Sequence, residues 1–184
     1  MEKLVLGLVI FLGGHLALRL TGLREKVEAK IGKMPFKGLF ALVALVGFVL
    51  LIMGYAAYRP TAHDLYTAPS WGKYANYLLT LVSIILFLAS YMAGKIKATL
   101  VHPQLAGVKA WALGHLLANG DAASVILFGS FLAWAIVTRI LYGKATRENV
   151  AWNRRDEGAI AFGILVWVAI GYKLHPILFG ASAF

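Results

Sequence analysis

Five stretches of this chain stay apolar for the length of a membrane crossing: about Leu4 to Leu20, Phe40 to Tyr58, Tyr74 to Ala93, Ala122 to Tyr142 and Gly158 to Leu174. An α-helix rises about 1.5 Å per residue, so roughly twenty residues cross a hydrocarbon core about 30 Å thick. A helix satisfies its backbone polar groups within one segment, so each stretch predicts a transmembrane helix. A sixth, Leu105 to Ala118, covers only about 21 Å and crosses if His102 and Asn119 serve as its ends. The expectation is all-α: a polytopic membrane helix bundle of about six transmembrane helices, forming one domain over residues 1–184 without internal repeats.

Composition points the same way. Of 184 residues, 60% are hydrophobic and 14% charged, which is too little polar surface to clothe a soluble core. Lipid is therefore the expected partner. There is no cysteine, which excludes disulfides, thiolate haem ligation, iron–sulfur clusters and cysteine zinc sites.

The formal charge of +10 points to topology rather than to nucleic acid, because basic residues of membrane proteins gather in cytoplasmic loops. With six spans, Arg19, Arg24, Lys26, Lys30, Lys33 and Lys37 flank the first loop, and Lys95, Lys97 and Lys109 the third. Arg139, Lys144, Arg147, Arg154 and Arg155 belong to the fifth. These face the cytoplasm and leave Lys3, Arg59, Lys73 and Lys173 on the outer, periplasmic side with both termini. Trp71, Tyr66, Tyr74 and Tyr77 then fall at the outer interface, where amphipathic rings belong. Lys3 is the only basic residue before Arg19, so the first segment reads as a retained helix rather than a cleaved signal. The second loop, RPTAHDLYTAPSWGKY, reads as a connector, with a lid across the bundle mouth as the alternative.

Five histidines remain to be explained. His63 lies in the outer loop, His102 precedes Pro103 at a helix start, and His175 precedes Pro176 just past the last expected helix. His15 and His115 differ, since each falls inside an apolar span with no acid within a helical turn. Imidazoles at membrane depth are costly and usually face the bundle interior. His15 lies roughly 17 Å from the outer side and His115 roughly 20 Å from the inner, which puts them within several ångström of one depth.

Two readings of the pair are open. Two imidazoles on different helices can ligate haem iron, whose porphyrin supplies the other four ligands, whereas zinc asks for three or four protein ligands. Gly13, Gly14, Gly114 and Trp111, one turn before His115, suit a flat macrocycle, and Arg19, one turn after His15, suits a propionate. Alternatively the glycines pack helix on helix, the histidines hydrogen-bond to backbone or water, and Arg19 snorkels to the interface.

Three segments, FLGGHLALRL, HPQLAGVKAWALGHLLANGDAASVILFGSFLAW and KLHPILFG, together resemble the NnrU family of bacterial membrane proteins nearly end to end. Its best-known members are associated with denitrification genes, so the resemblance implies the bacterial inner (cytoplasmic) membrane and a redox or nitric-oxide role. That family is similar in turn to plant and cyanobacterial zeta-carotene isomerase, a haem b membrane enzyme with two axial histidines. One axial histidine lies in an early H-x-x-L-A-x-x-R-like segment, and the other thirteen residues after the histidine of an H-P-Q motif. The resemblance thus implies haem b on His15 and His115, with a hydrophobic or small gaseous ligand. Val101 stands where the isomerase pattern has a basic residue, and HLALR where it has H-S-G-L-A.

Competing readings remain. HPQLAG also resembles the R-H-P-x-Y-x-G segment of membrane isoprenylcysteine and phospholipid methyltransferases, whose later acidic pair would fall on Asp156 and Glu157. A non-enzymatic sensor or assembly protein is a further reading. Asp121 in ANGD is expected to cap the fifth helix. No Walker-type glycine loop or Ser-His-Asp pattern is present.

Overall fold

The apolar runs fold as the period of their side chains dictates, and the described residues contain helices, turns and no strand. The structure is a computed structural model that describes residues 1–143 and 146–179. Lys144 of the fifth loop lies outside them, as do residues 180–184, which the one-domain reading included and of which Gly180 ends KLHPILFG.

Helix α1 covers Glu2–Leu20, with a π turn at Val9–Gly13, and α2 covers Leu23–Ile31. Then follow α3, Lys33–Tyr58; α4, Gly72–Ala89; α5, Lys95–Leu100; α6, Pro103–Ala118; and α7, Ala122–Leu141. Last, α8 runs Arg154–Ala169, passes through a π turn at Ile170–Leu174 and continues over His175–Phe179. Among the described residues, α1, α3, α4, α7 and α8 are long and apolar enough to cross a membrane. These five mark a multi-pass membrane protein. The sixth stretch is helical, but at 16 residues α6 reaches only about 24 Å.

The first and third loops contain α2 and α5, helices too short and polar to show an apolar period. One expectation needs correction. His175 is not past the last helix. Pro176 has no N–H for the helical ladder and its ring crowds the carbonyl four residues back, a conflict that the wider π turn at Ile170–Leu174 can absorb.

Contacts group the chain into two compact units, Met1–Tyr66 with Asp121–Ser130, and Thr67–Gly120 with the chain from Phe131 onward. In the first unit α1 packs on α3 through glycines. A Cβ on Gly7 would strike the Leu51 backbone, one on Gly54 the Leu4 backbone, and one on Gly47 would lie 2.9 Å from the Phe11 nitrogen. Such close approach lets dispersion hold helices together where lipid removes the hydrophobic drive. Leu4, Leu8, Leu12, Leu51 and Tyr55 fill this seam. The far side of α3, with Leu39, Leu42, Leu45, Val46 and Met53, is exposed and apolar, as a lipid-facing surface requires. The second loop is tied down, since the His63 carbonyl accepts from Ala122 N at 2.9 Å and Asp64 pairs with Asp121 in an antiparallel bridge.

In the second unit α4 is the central partner. Gly107 and Gly114 of α6 face it, the former over the Ser83 carbonyl and the latter over Asn76 and Leu79. Gly163 of α8 lies on Ile85, and the Trp167 indole donates to Thr80 Oγ1 at 3.0 Å. The reading of Gly114 as room for a macrocycle is corrected here: it is occupied by α4 packing.

Candidate functional site

His15 belongs to the first unit and His115 to the second. His15 follows the π turn of α1 and is half-buried. Its Nδ1 lies 2.6 Å from the Phe11 carbonyl, and its ring packs between Phe11, at 4.8 Å, and Phe40, edge-on at 4.9 Å. A carbonyl only accepts, so Nδ1 is the donor in this bond. Gly14 beside it leaves 3.8 Å from an added Cβ to Phe40, ordinary contact that no tight packing forces.

His115 repeats this arrangement. It sits half-buried in the last turn of α6, its Nδ1 2.9 Å from the Trp111 carbonyl and its ring 5.3 Å from the Trp111 ring. Trp111 is held in turn by Phe131, edge-on at 5.3 Å. The His115 carbonyl ends the helix by accepting both the backbone N–H and the side-chain amide of Asn119, each at 2.9 Å. Arg19 lies exposed in the last turn of α1, where a cation complements the helix dipole.

Metal-binding histidines characteristically give their second nitrogen to a carbonyl or carboxylate, which fixes the tautomer and raises the basicity of the ligating atom. Both rings meet that condition. No cluster of three or more His, Asp or Glu exists among the described residues, so a metal taking all its ligands from protein does not fit.

The remaining histidines have other settings. His102 caps the start of α6 and stacks on Tyr142 at 4.2 Å, next to Val101, whose φ of 60° is rare for a β-branched residue. His63 is exposed in the second loop, and His175 continues α8.

Two polar constellations escape a reading based on histidines. Asp156, 1% exposed, accepts from Lys95 N and Ile96 N at 2.9 Å and from Asn153 N at 3.1 Å. Its reciprocal cap with Asn153 was signalled by the Asn-x-x-Asp spacing. Both oxygens are thus engaged with backbone, unlike the acidic pair that a methyltransferase reading would use. The second constellation joins Tyr55, Ser124 and Asp121. Asp121 caps α7 as expected, accepting from Ser124 N at 2.9 Å and from the Ser124 hydroxyl at 2.7 Å. The spacing of Asp121 and Ser124 announces the cap, while nothing in the sequence announces Tyr55.

A family model described as NnrU protein matches residues 3–183, nearly the whole chain. The chain belongs to the NnrU family. No curated protein and no solved structure matches this NnrU chain.

Proposed function

We propose that this NnrU protein is a haem b-binding protein of the bacterial inner membrane, with His15 and His115 as axial ligands and a redox or nitric-oxide-linked role. The observation that carries the reading is the shared orientation: each ring directs Nδ1 to the carbonyl four residues before it, the second-nitrogen bond characteristic of metal-binding histidines. Six crossings, with α6 spanning by virtue of its polar ends, set both termini on the periplasmic side.

In this reading Phe11 and Trp111 hold the imidazole planes through their carbonyls, Phe40 packs edge-on against the His15 ring, and Phe131 braces Trp111. Arg19 supplies a cation at the interface for a propionate. Haem b held by His15 and His115 would supply one-electron chemistry and a site for a small ligand. Isomerisation of a carotenoid-like alkene is the second reading, favoured by the match of the same two histidines to the isomerase motifs.

The test is haem content in detergent-purified variants. His15→Ala and His115→Ala are expected to lose most of the bound haem, and His63→Ala to keep it. Equal retention in all three removes the ligand assignment.

A further inference from the structure

The chain leaves the membrane at Leu20 and returns at Lys33, and between them stands α2, set off by Gly22 at φ 61° and Gly32 at φ 86°. Glycine accepts these left-handed turns without a Cβ clash, so the helix can run at an angle to the spans on either side. Because two spans hold its ends, α2 stays at the membrane surface.

Its side chains are sorted. At about 100° per residue, Leu23, Val27 and Ile31 fall within an arc of roughly 80°. Arg24 borders that stripe on one side, with Glu28 just beyond it, Lys26 and Lys30 lie on the other side, and Glu25 points the opposite way. Leu23 is 45% and Ile31 43% exposed, and Leu20 and Met34 extend the apolar surface beyond both ends. Residues 19–37 hold six basic side chains and two acidic ones, a net charge of 6 − 2 = +4. Arg24 is engaged with Glu28 at 2.9 Å, which leaves Lys26 and Lys30 as the exposed cations beside the stripe, with Arg19, Lys33 and Lys37, also exposed, flanking the helix. Positive-inside sorting alone asks only for basic residues somewhere in the loop. Placing Arg24 along one edge of an apolar stripe and Lys26 and Lys30 along the other, with Glu25 opposite, is the pattern of a helix lying in the headgroup layer.

We propose that α2 is an interfacial helix that binds anionic phospholipids, its Leu23, Val27 and Ile31 turned to the acyl chains and its lysines to the headgroup phosphates. Lipid, rather than a protein partner, is the occupant because both helix ends are fixed at the bilayer and the exposed charge complements anionic headgroups.

The chain has no native cysteine, so a single introduced one gives a unique spin label on the full protein. Labels at Leu23→Cys and Glu25→Cys are compared in nanodiscs of phosphatidylcholine and of phosphatidylcholine with phosphatidylglycerol, using a water-soluble nickel relaxant. The expected result is that relaxant access at position 23 falls several-fold in the anionic discs while position 25 stays water-exposed. Adding Lys26→Gln and Lys30→Gln is expected to weaken the docked state about fivefold per lysine. Equal water access at position 23 in both lipids overturns the proposal. So does shielding that occurs only in discs holding two copies, which assigns the stripe to self-association.

Discussion

The Tyr55 hydroxyl lies 3.0 Å from Ser124 Oγ, joining α3 to the first turn of α7 across 69 residues of sequence. Ser124 spends its proton on Asp121 Oδ2, so Tyr55 is the donor, and the chain of bonds runs Tyr55 to Ser124 to Asp121. Both Tyr55 and Ser124 are buried, so no water replaces a lost partner. Tyr55→Phe is expected to destabilise the protein by about 1 kcal/mol, and Ser124→Ala by more, because it strands the Tyr55 hydroxyl and one Asp121 contact. Thermal unfolding in detergent, followed by circular dichroism, checks the order; equal stability of Ser124→Ala and wild type would contradict it.

The glycine seam of the first unit makes a sharper contrast. Gly54 leaves no room for a methyl against the Leu4 backbone, whereas Gly129 has no atom within 4 Å of where a Cβ would stand. Gly54→Ala should cost about 2 kcal/mol or more through forced separation of α1 and α3. Gly129→Ala should be neutral or slightly stabilising. The same unfolding assay checks both, and matching losses would mean that backbone approach is not what holds the seam.

How much of this was legible beforehand follows from the kind of interaction involved. Membrane helices announce themselves by length and hydropathy, and the long spans at Gly72–Ala89 and Ala122–Leu141 lie within a few residues of their expected bounds. Helix α2 was not legible as helix, since its nine residues are too few and too charged to show an apolar run. Asp156 enters the sequence reading only as part of an acidic pair, although the Asn-x-x-Asp spacing signals its cap with Asn153, and its bonds to Lys95 N and Ile96 N depend on a tertiary meeting that no local pattern encodes. Likewise the inward placement of His15 and His115 was expected from cost alone, while their Nδ1 bonds required coordinates.

Asp156 gives a third prediction. Three backbone N–H groups converge on one carboxylate, and Gly94 is the residue that lets it approach, since a Cβ there would meet the Asp156 carboxylate carbon at 2.6 Å. Asp156→Asn puts an NH2 group against donors. A loss of about 3 kcal/mol is expected from the weakened charge-assisted bonds and the donor left facing a donor. Limited proteolysis should then cut between residues 93 and 101 well before other loops, and unchanged cleavage would contradict the assignment.

Val101 carries backbone strain directly ahead of the His102–Pro103 corner. A β-branched residue at positive φ costs roughly 1–3 kcal/mol, and glycine adopts that φ freely. Val101→Gly should therefore stabilise the protein by about 1 kcal/mol after the added unfolded-state entropy is subtracted. A lower midpoint in the unfolding assay would show that the Val101 side chain contributes more by packing than its backbone loses.

The central claim, haem b held by two histidines, is tested most directly by low-temperature electron paramagnetic resonance of the ferric wild-type protein, purified after expression with ample haem. The account predicts a stoichiometric low-spin signal of the bis-histidine type, absent from His15→Ala and from His115→Ala. A protein that takes up no haem, or a low-spin signal that survives both substitutions, would contradict it.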